Sequence, residues 1–387
     1  MSTQLHSQLD AVSGRVAAGF EPVREQFAAN FLRDDHCREV GAALSVFHGE
    51  RCVVDLWGGY MDATRVHPWR QDTLLNVYST TKGIVATCIA LLVDRGVLRY
   101  DDTVASVWPE FAQNGKQHVT IAQVLSHQAG LPAFEEPTTV ADLYDWHGRC
   151  AALARQKTRW TPGEKTAYHP ITYGYLAGEI VRRASGRSVG EFLQKELAMP
   201  LEADFFIGLE PALDRRVAGT LAPKNMIDPS ALPPIEETRL SVTNPLLHPQ
   251  AANTAEWRRA ELPALNGHAS ADAIARIYAM LANGGVFQRR RLLSPATITR
   301  MTQVRSDRMD LTLGMPANWA AGVVLNGTTT FFGPNPHAYG HSGWGGSFGC
   351  ADPDRQLAIG YVCNQMGPDL VGDVRARELC ATIYRCL

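Results

Sequence analysis

The stretch Asn76-Val77-Tyr78-Ser79-Thr80-Thr81-Lys82-Gly83-Ile84-Val85 sets a serine and a lysine three residues apart at the head of a long apolar run. On a helix that spacing puts both side chains on one face within about one turn, so a lysine amine can reach a serine hydroxyl. Serine is common, and roughly one such spacing is expected by chance in a chain of this length. Lysine, however, is scarce. Six occur (Lys82, Lys116, Lys157, Lys165, Lys195, Lys224), and no other serine has a lysine three places on. An N-capping serine with a solvated first-turn lysine has the same spacing. The residues after Lys82 argue against solvation: Ile84, Val85, Ala86, Cys88, Ile89, Ala90, Leu91, Leu92 and Val93 are apolar almost all round the helix, the signature of a buried segment. A lysine at the mouth of such a helix needs a partner or a shifted pKa. The pair is a candidate activated nucleophile.

The rest of the composition describes an ordinary globular chain. It has 387 residues, 45% hydrophobic and 20% charged, long enough for a large core shared between two domains. A net charge of −2, with no basic stripe or acidic tail, argues against nucleic acid or an anionic membrane as partner. No uncharged apolar stretch approaches bilayer length, and the first ten residues lack the pattern of a secretory signal. The eight cysteines (Cys37, Cys52, Cys88, Cys150, Cys350, Cys363, Cys380, Cys386) are scattered, with neither a CxxC pair nor zinc spacing. Reduced thiols in a cytoplasmic protein are the expectation, and no metal or organic cofactor is implied.

Outward from Ser79, apolar residues at helical spacing from Leu9 to Phe31 predict an N-terminal amphipathic helix. Val40–Phe47 and Cys52–Trp57 read as two strands joined by a hairpin at His48-Gly49-Glu50. Thr120 is a plausible N-cap for a short helix. Residues 141–198 are helical in pattern, with breaks at Trp160-Thr161-Pro162-Gly163 and Ser185-Gly186. Residues 207–265 are proline-rich and aperiodic, and loops of that length are often functional. A helix over Ala271–Leu281 follows, then strands at Trp319–Leu325, Thr329–Phe332, Gly346–Ala351 and Leu357–Cys363, and a helix over Leu370–Tyr384. This pattern predicts an α/β sheet domain built from both ends of the chain (1–80 and 270–387) and a mostly helical domain with long loops (81–269).

Further motifs follow Ser79-x-x-Lys82 in order: Leu125-Ser126-His127-Gln128-Ala129-Gly130-Leu131, Trp160-Thr161-Pro162-Gly163-Glu164, Tyr168-His169-Pro170, and Gly340-His341-Ser342-Gly343-Trp344-Gly345-Gly346. Together they resemble the serine β-lactamase and penicillin-binding-protein-like hydrolases, in the branch holding class C β-lactamases, DD-peptidases and family VIII carboxylesterases. The likeness spans about residues 40–365. It implies an α+β, β-lactamase-like fold: an antiparallel sheet flanked by helices, joined to a helical domain, with the site in the cleft. It makes Ser79 the acylated nucleophile, Lys82 its partner and Tyr168 the motif tyrosine, whose pKa a nearby ammonium can depress. It leaves open whether Lys82 or Tyr168 is the acylation base. It puts His341-Ser342-Gly343 on an edge strand bordering the substrate, and the backbone N–H groups of Ser79 and Trp344 in an oxyanion hole. His169 is a candidate pocket residue, and His127 a loop organiser.

Two departures from the family pattern shift the expected substrate. Tyr168 is followed by His169 and Pro170 where class C β-lactamases carry an asparagine amide. The third motif opens with His341 rather than lysine, so a fixed charge for a β-lactam carboxylate is missing unless that histidine is protonated. The expectation is a serine carboxylesterase acting on small carboxylic esters through an acyl-enzyme on Ser79. The alternatives are an amide-cleaving relative (D-amino-acid peptidase or weak β-lactamase), an acyltransferase on the same site, or a non-catalytic binding protein. Gly345-Gly346-Ser347-Phe348-Gly349 also fits GxSxG, but no helix follows it, as a nucleophile elbow requires.

Overall fold

The structure is a computed structural model that describes residues 11–387 apart from 227, 229, 231–234, 328 and 329. Its centre is an eight-stranded antiparallel sheet formed by β1 (Val12–Val16), β2 (Gly41–His48), β3 (Arg51–Gly59), β4 (Asn318–Trp319), β5 (Val324–Leu325), β6 (Tyr339–Ser342), β7 (Phe348–Asp352) and β8 (Leu357–Cys363). The spatial order is β1-β3-β2-β8-β7-β6-β5-β4, so strands from the two ends of the chain meet where His48 pairs Leu357 and Ala42 pairs Cys363. The principal helices are α1 (Glu21–Asn30), α2 (Thr80–Asp94), α3 (Ile121–Leu125), α4 (Trp146–Arg155), α5 (Thr172–Ser185), α6 (Glu236–Thr243), α7 (Ala271–Ala282) and α8 (Val374–Arg385).

Both faces of the sheet are covered, and the alternation of side-chain size decides how closely. On one face Leu44, Val46, Ile359 and Tyr361 pack with Phe27 of α1 and Leu379 and Ile383 of α8. On the other, Ala43, Ser45, Ala358, Gly349 and Gly360 leave room for α7 to lie almost on the backbone. A Cβ on Gly360 would sit 2.3 Å from the Ala271 carbonyl oxygen, and one on Gly349 2.3 Å from the Tyr278 ring. β2 is buried on both faces except at its last residue, which is why it reads as a continuous apolar run. Helix α2 runs between this sheet layer and the helical layer, packing on α5 and on β6. No helix among the described residues is long and apolar enough to cross a membrane, and all eight cysteines are free thiols.

Several expected elements hold: the β2–β3 hairpin, α7, and α3 with a full capping box between Thr120 and Gln123. Others are corrected. The single N-terminal helix expected over Leu9–Phe31 is, from Val12 on, an edge strand and then a helix. Gly14 (φ 102°) and Gly19 (φ 90°) interrupt the run, β1 pairs along β3, and Pro22 sits in the first turn of α1. Leu9 lies outside the described residues. Trp319–Leu325 is not one strand but two short strands turned back at Gly322, whose φ of 83° favours glycine. Of the strand expected at Thr329–Phe332, Thr329 lies outside the described residues and the remainder is irregular. The strand expected from Gly346 begins at Phe348, and the last helix begins at Val374.

Gly360→Ala is expected to push α7 off the sheet and to lower the unfolding free energy by about 1–3 kcal/mol, the usual cost of overpacking. Urea unfolding followed by circular dichroism measures it.

Candidate active site

Ser79 sits at the mouth of α2 because Tyr78, just before it, adopts a left-handed φ of 43°. That conformation is costly for a bulky residue and persists only where the surroundings hold it. Here the Tyr78 hydroxyl donates to the Pro249 carbonyl at 2.8 Å, and its ring meets Trp344 edge-on at 5.4 Å. The resulting corner turns the Ser79 hydroxyl toward Lys82, with Oγ–Nζ at 3.0 Å, as the i, i+3 spacing predicts.

Lys82 is completely buried. Its Nζ lies 2.8 Å from the Pro170 carbonyl and 3.0 Å from the Ala264 carbonyl, which bring two distant loops onto one nitrogen. Carbonyls only accept, so each takes one N–H. With no carboxylate partner, burial pushes the Lys82 pKa well below its ordinary value of 10.5. A neutral amine has two N–H groups for the two carbonyls and one lone pair, which then faces Ser79. The missing asparagine amide is thus replaced by a backbone oxygen, that of Pro170.

Tyr168 completes the cluster: its hydroxyl lies 2.7 Å from Ser79 Oγ, and Lys82 Nζ stands 4.9 Å from its ring centre. The expected depression of its pKa is not found. Burial dominates and raises it, so the group is a neutral phenol that donates to Ser79. Two residues that sequence reasoning did not assign to the site hold this ring. Trp319 stacks on it, 5.6 Å between centroids and 3° from parallel. Buried Asp310 accepts the Tyr168 backbone N–H at 2.8 Å and the Trp319 indole N–H at 2.9 Å. The only hint was Asp310-Leu311-Thr312, a spacing suited to an Asx turn; Asp310 does accept the Thr312 N–H at 3.0 Å.

The third motif lies on β6 and the turn after it. β6 is not an edge strand, since β5 pairs with it, but that pairing covers only Tyr339 and Gly340 and leaves His341 and Ser342 open on that side. A Cβ on Gly343 would collide with the Val77 carbonyl at 2.2 Å, so glycine lets this turn close on the Ser79 corner. Ser347 ties the two together: its hydroxyl donates to Val77 O at 3.0 Å and lies 3.2 Å from Thr80 Oγ1. It is buried, and a strand rather than a helix follows it in the chain, so it does not sit on the strand-to-helix elbow that a rival nucleophile would need. The N–H groups of Ser79 and Trp344 take no backbone partner among the described residues.

The three histidines are neutral. His341 donates from Nδ1 to the Ser342 carbonyl at 2.7 Å, and burial, reinforced by Lys82, brings its pKa down to about 3. It therefore supplies no charge for a carboxylate. His169 does not line the pocket, contrary to expectation. Its Nδ1 donates to Ala167 O at 2.6 Å, its Nε2 accepts from the Leu131 N–H at 3.3 Å, and it is fully buried. His127, at a φ of 61°, accepts the His169 N–H on Nδ1 at 3.2 Å and packs 4.9 Å from the Tyr168 ring, so it organises its loop.

A pocket of about 100 Å³ opens beside Ser79, walled by Tyr78, Ile171, Val242, Leu247, Leu265 and Trp344. Among the described residues, none that lines it is charged. Met226 and Leu246, both unusually exposed for apolar side chains, stand at its rim.

The Beta-lactamase family model matches residues 25–381. The chain belongs to that family. Within it, the chain is 34% identical over 345 residues to the esterase/beta-lactamase LipL of Mycobacterium tuberculosis, covering 86% of this chain and 78% of that protein. A crystal structure of a family VIII carboxylesterase superposes with a TM-score of 0.91 at 43% identity, covering 97% of this chain and all of that one. A penicillin-binding-protein homologue from Caulobacter crescentus gives 0.91 at 42% identity over the same shares. The β-lactamase-like fold expected from the motifs is therefore the fold of this family member.

Lys82 links stability to pH with a definite sign. The unfolded chain binds a proton at this lysine below pH 10.5 while the folded chain resists it, so stability rises with pH across the neutral range. Between pH 7 and 9 the wild type is expected to gain up to about 1.4 kcal/mol per pH unit relative to Lys82→Met, read from paired denaturant titrations.

Proposed function

We propose that this protein is a serine carboxylesterase that hydrolyses small esters of uncharged, apolar acyl groups through an acyl-enzyme on Ser79. The observation that carries the reading is the charge-free pocket beside a serine hydroxyl held between Lys82 and Tyr168. An ester offers an uncharged, reactive acyl donor. A β-lactam or a D-alanyl peptide brings a carboxylate, for which neutral His341 provides no counter-charge. The family VIII carboxylesterase at 43% identity supports the same choice, and the relative at 34% is named for both esterase and beta-lactamase.

In this mechanism Ser79 Oγ attacks the ester carbonyl carbon while its proton passes to the Lys82 amine. The carbonyl oxygen takes the negative charge and is held by the Ser79 and Trp344 N–H groups, which have no backbone acceptor among the described residues. When the intermediate collapses, the bond to the alcohol oxygen breaks and the leaving alkoxide takes the Tyr168 proton. Lys82 ammonium returns a proton to Tyr168. Water then attacks the acyl-enzyme, yielding its proton to the same pair, and Ser79 leaves as the alcohol. His341, Ser342 and Gly343 border the substrate in this reading. We further take residues 1–80 with 270–387 and residues 81–269 as two domains whose seam is the site; the packing of α2 on both β6 and α5 supports this. A cytoplasmic location belongs to the same reading, supported by the free thiols.

Assays on nitrophenyl esters from acetate to octanoate, a chromogenic cephalosporin and a D-alanyl dipeptide test it. The wild type is expected to favour the esters, Ser79→Ala to lose at least about a thousandfold in kcat, and Ser347→Ala to stay within about tenfold. Ester turnover surviving in Ser79→Ala overturns the proposal, and preference for the dipeptide or the cephalosporin moves it to amide cleavage. A second variant, Val242→Phe, narrows the pocket and is expected to raise KM progressively with acyl length.

A further inference from the structure

Behind the turn Gly343–Gly346 lies a buried ionic cluster that the mechanism above does not use. Arg375, in the first turn of α8, is completely shielded from solvent. Its Nε donates to Asp373 Oδ1 at 2.8 Å and its Nη2 to Asp373 Oδ2 at 2.7 Å. Nη1 lies 3.0 Å from Glu39 Oε2 and donates to the Gln365 carbonyl at 2.9 Å. The remaining contact runs from Nη2 to the Gly345 carbonyl at 3.1 Å. Glu39 and Asp373 are each 2% exposed, and the Tyr361 hydroxyl donates to Glu39. Burying an arginine with two carboxyl groups is expensive, as the Glu39 pKa pushed up to about 7 by burial shows, and a well-packed apolar set of similar volume is often at least as stable. The location of this one suggests what it does.

The Gly345 carbonyl is the residue-on neighbour of the Trp344 N–H. It accepts from Arg375 and also from the Gly367 N–H at 2.9 Å. Gly345 and Gly346 have φ of 94° and 122°, and a Cβ on them would meet Met366 at 2.6 Å and Asp373 at 2.8 Å. The turn is closed internally by the Gly346 N–H to the Gly343 carbonyl at 3.2 Å and the Gly343 N–H to the Ser347 carbonyl at 2.7 Å, but Gly345 and Gly346 have no side chains of their own, so the Gly345 peptide relies on anchors from outside the turn. We propose that Arg375 is a positioning residue: with Glu39 and Asp373 it holds the Gly345 carbonyl and so keeps the Trp344 N–H aimed where the oxyanion develops. The inference rests on the Ser79 esterase reading. A donor that matters most when charge develops acts on kcat rather than on ground-state binding, which separates this role from simple stabilisation of the fold.

The test compares Arg375→Lys, Asp373→Asn and Glu179→Gln on one nitrophenyl ester, with kcat normalised to folded protein and Tm recorded. Glu179 is an equally buried carboxylate, paired with Arg182 and Arg183 on α5, away from the turn. Lysine keeps the charge of Arg375 but cannot reproduce its fork. The expected result is a roughly tenfold or greater fall in kcat for Arg375→Lys with KM within about twofold, and a smaller fall of the same kind for Asp373→Asn. Glu179→Gln is expected to lower Tm and leave kcat in place. If Arg375→Lys does not fold, Asp373→Asn decides alone. Folded variants that keep wild-type kcat despite a lowered Tm overturn the proposal, as does an equal kcat loss in Glu179→Gln. Ser79→Ala runs alongside: turnover surviving there overturns the esterase reading itself, a different outcome from an Arg375 variant that works normally.

Discussion

The buried nitrogen of Lys82 is the constraint around which the rest of the site is arranged. An amine removed from water must have its N–H groups satisfied, and this one draws on the carbonyls of Pro170 and Ala264. Those oxygens belong to segments nearly a hundred residues apart, so their convergence fixes the approach of the helical layer to α2. The apolar helix behind Lys82 keeps solvent away, and burial without a carboxylate partner lowers the pKa of the nitrogen, which favours the unprotonated amine that can accept a proton. The same dry environment holds Tyr168 as a phenol and leaves His127, His169 and His341 uncharged. Low polarity around one lysine thus sets the protonation of five neighbouring groups, counting Lys82 itself.

The contact between Ser79 and Lys82 was legible in the sequence because its geometry is local: three residues of helix suffice to bring the two side chains together. Tyr168 and the His341 triplet were legible only through motif order, since nothing in their own neighbourhoods says that they meet. The carbonyl acceptors were not legible at all, because a backbone oxygen carries no residue identity. Pro170 looked like a lost amide, yet its main chain makes the contact that the amide would have made with the lysine. His169 was misassigned for a related reason. A histidine beside a motif tyrosine suggests a substrate contact, but its two ring nitrogens are committed to Ala167 and Leu131.

The fold shows the same division. The β2–β3 hairpin and α7 follow from local pattern and turn chemistry. The N-terminal segment misled because Val12 and Val16 fit a helical stripe, whereas the chance to pair along β3 decided their conformation, a tertiary effect that propensity does not contain. The pocket walls come largely from irregular segments between 207 and 265 and from α6, where no periodicity points at Ser79. Aperiodic stretches can be recognised as loops from sequence, but their packing on the site depends on contacts such as Asn244 with the carbonyls of Phe134 and Glu136.

The pairing of β2 with β8 has a consequence for how the molecule is made. A ribosome delivers the β2–β3 hairpin early and the Ser79 helix soon after, but the strand that fills the space between β2 and β7 arrives only near the end of synthesis, followed by Arg375. Until then the hairpin has an unpaired inner edge and Ser79 lacks its neighbouring turn. Such non-local closure is slow, and it leaves a sticky intermediate on which chaperones can act. It also means that a nascent or truncated chain carries Ser79 and Lys82 before the turn and the helix that enclose them have docked, so the candidate site is completed only as the final strand and helix arrive.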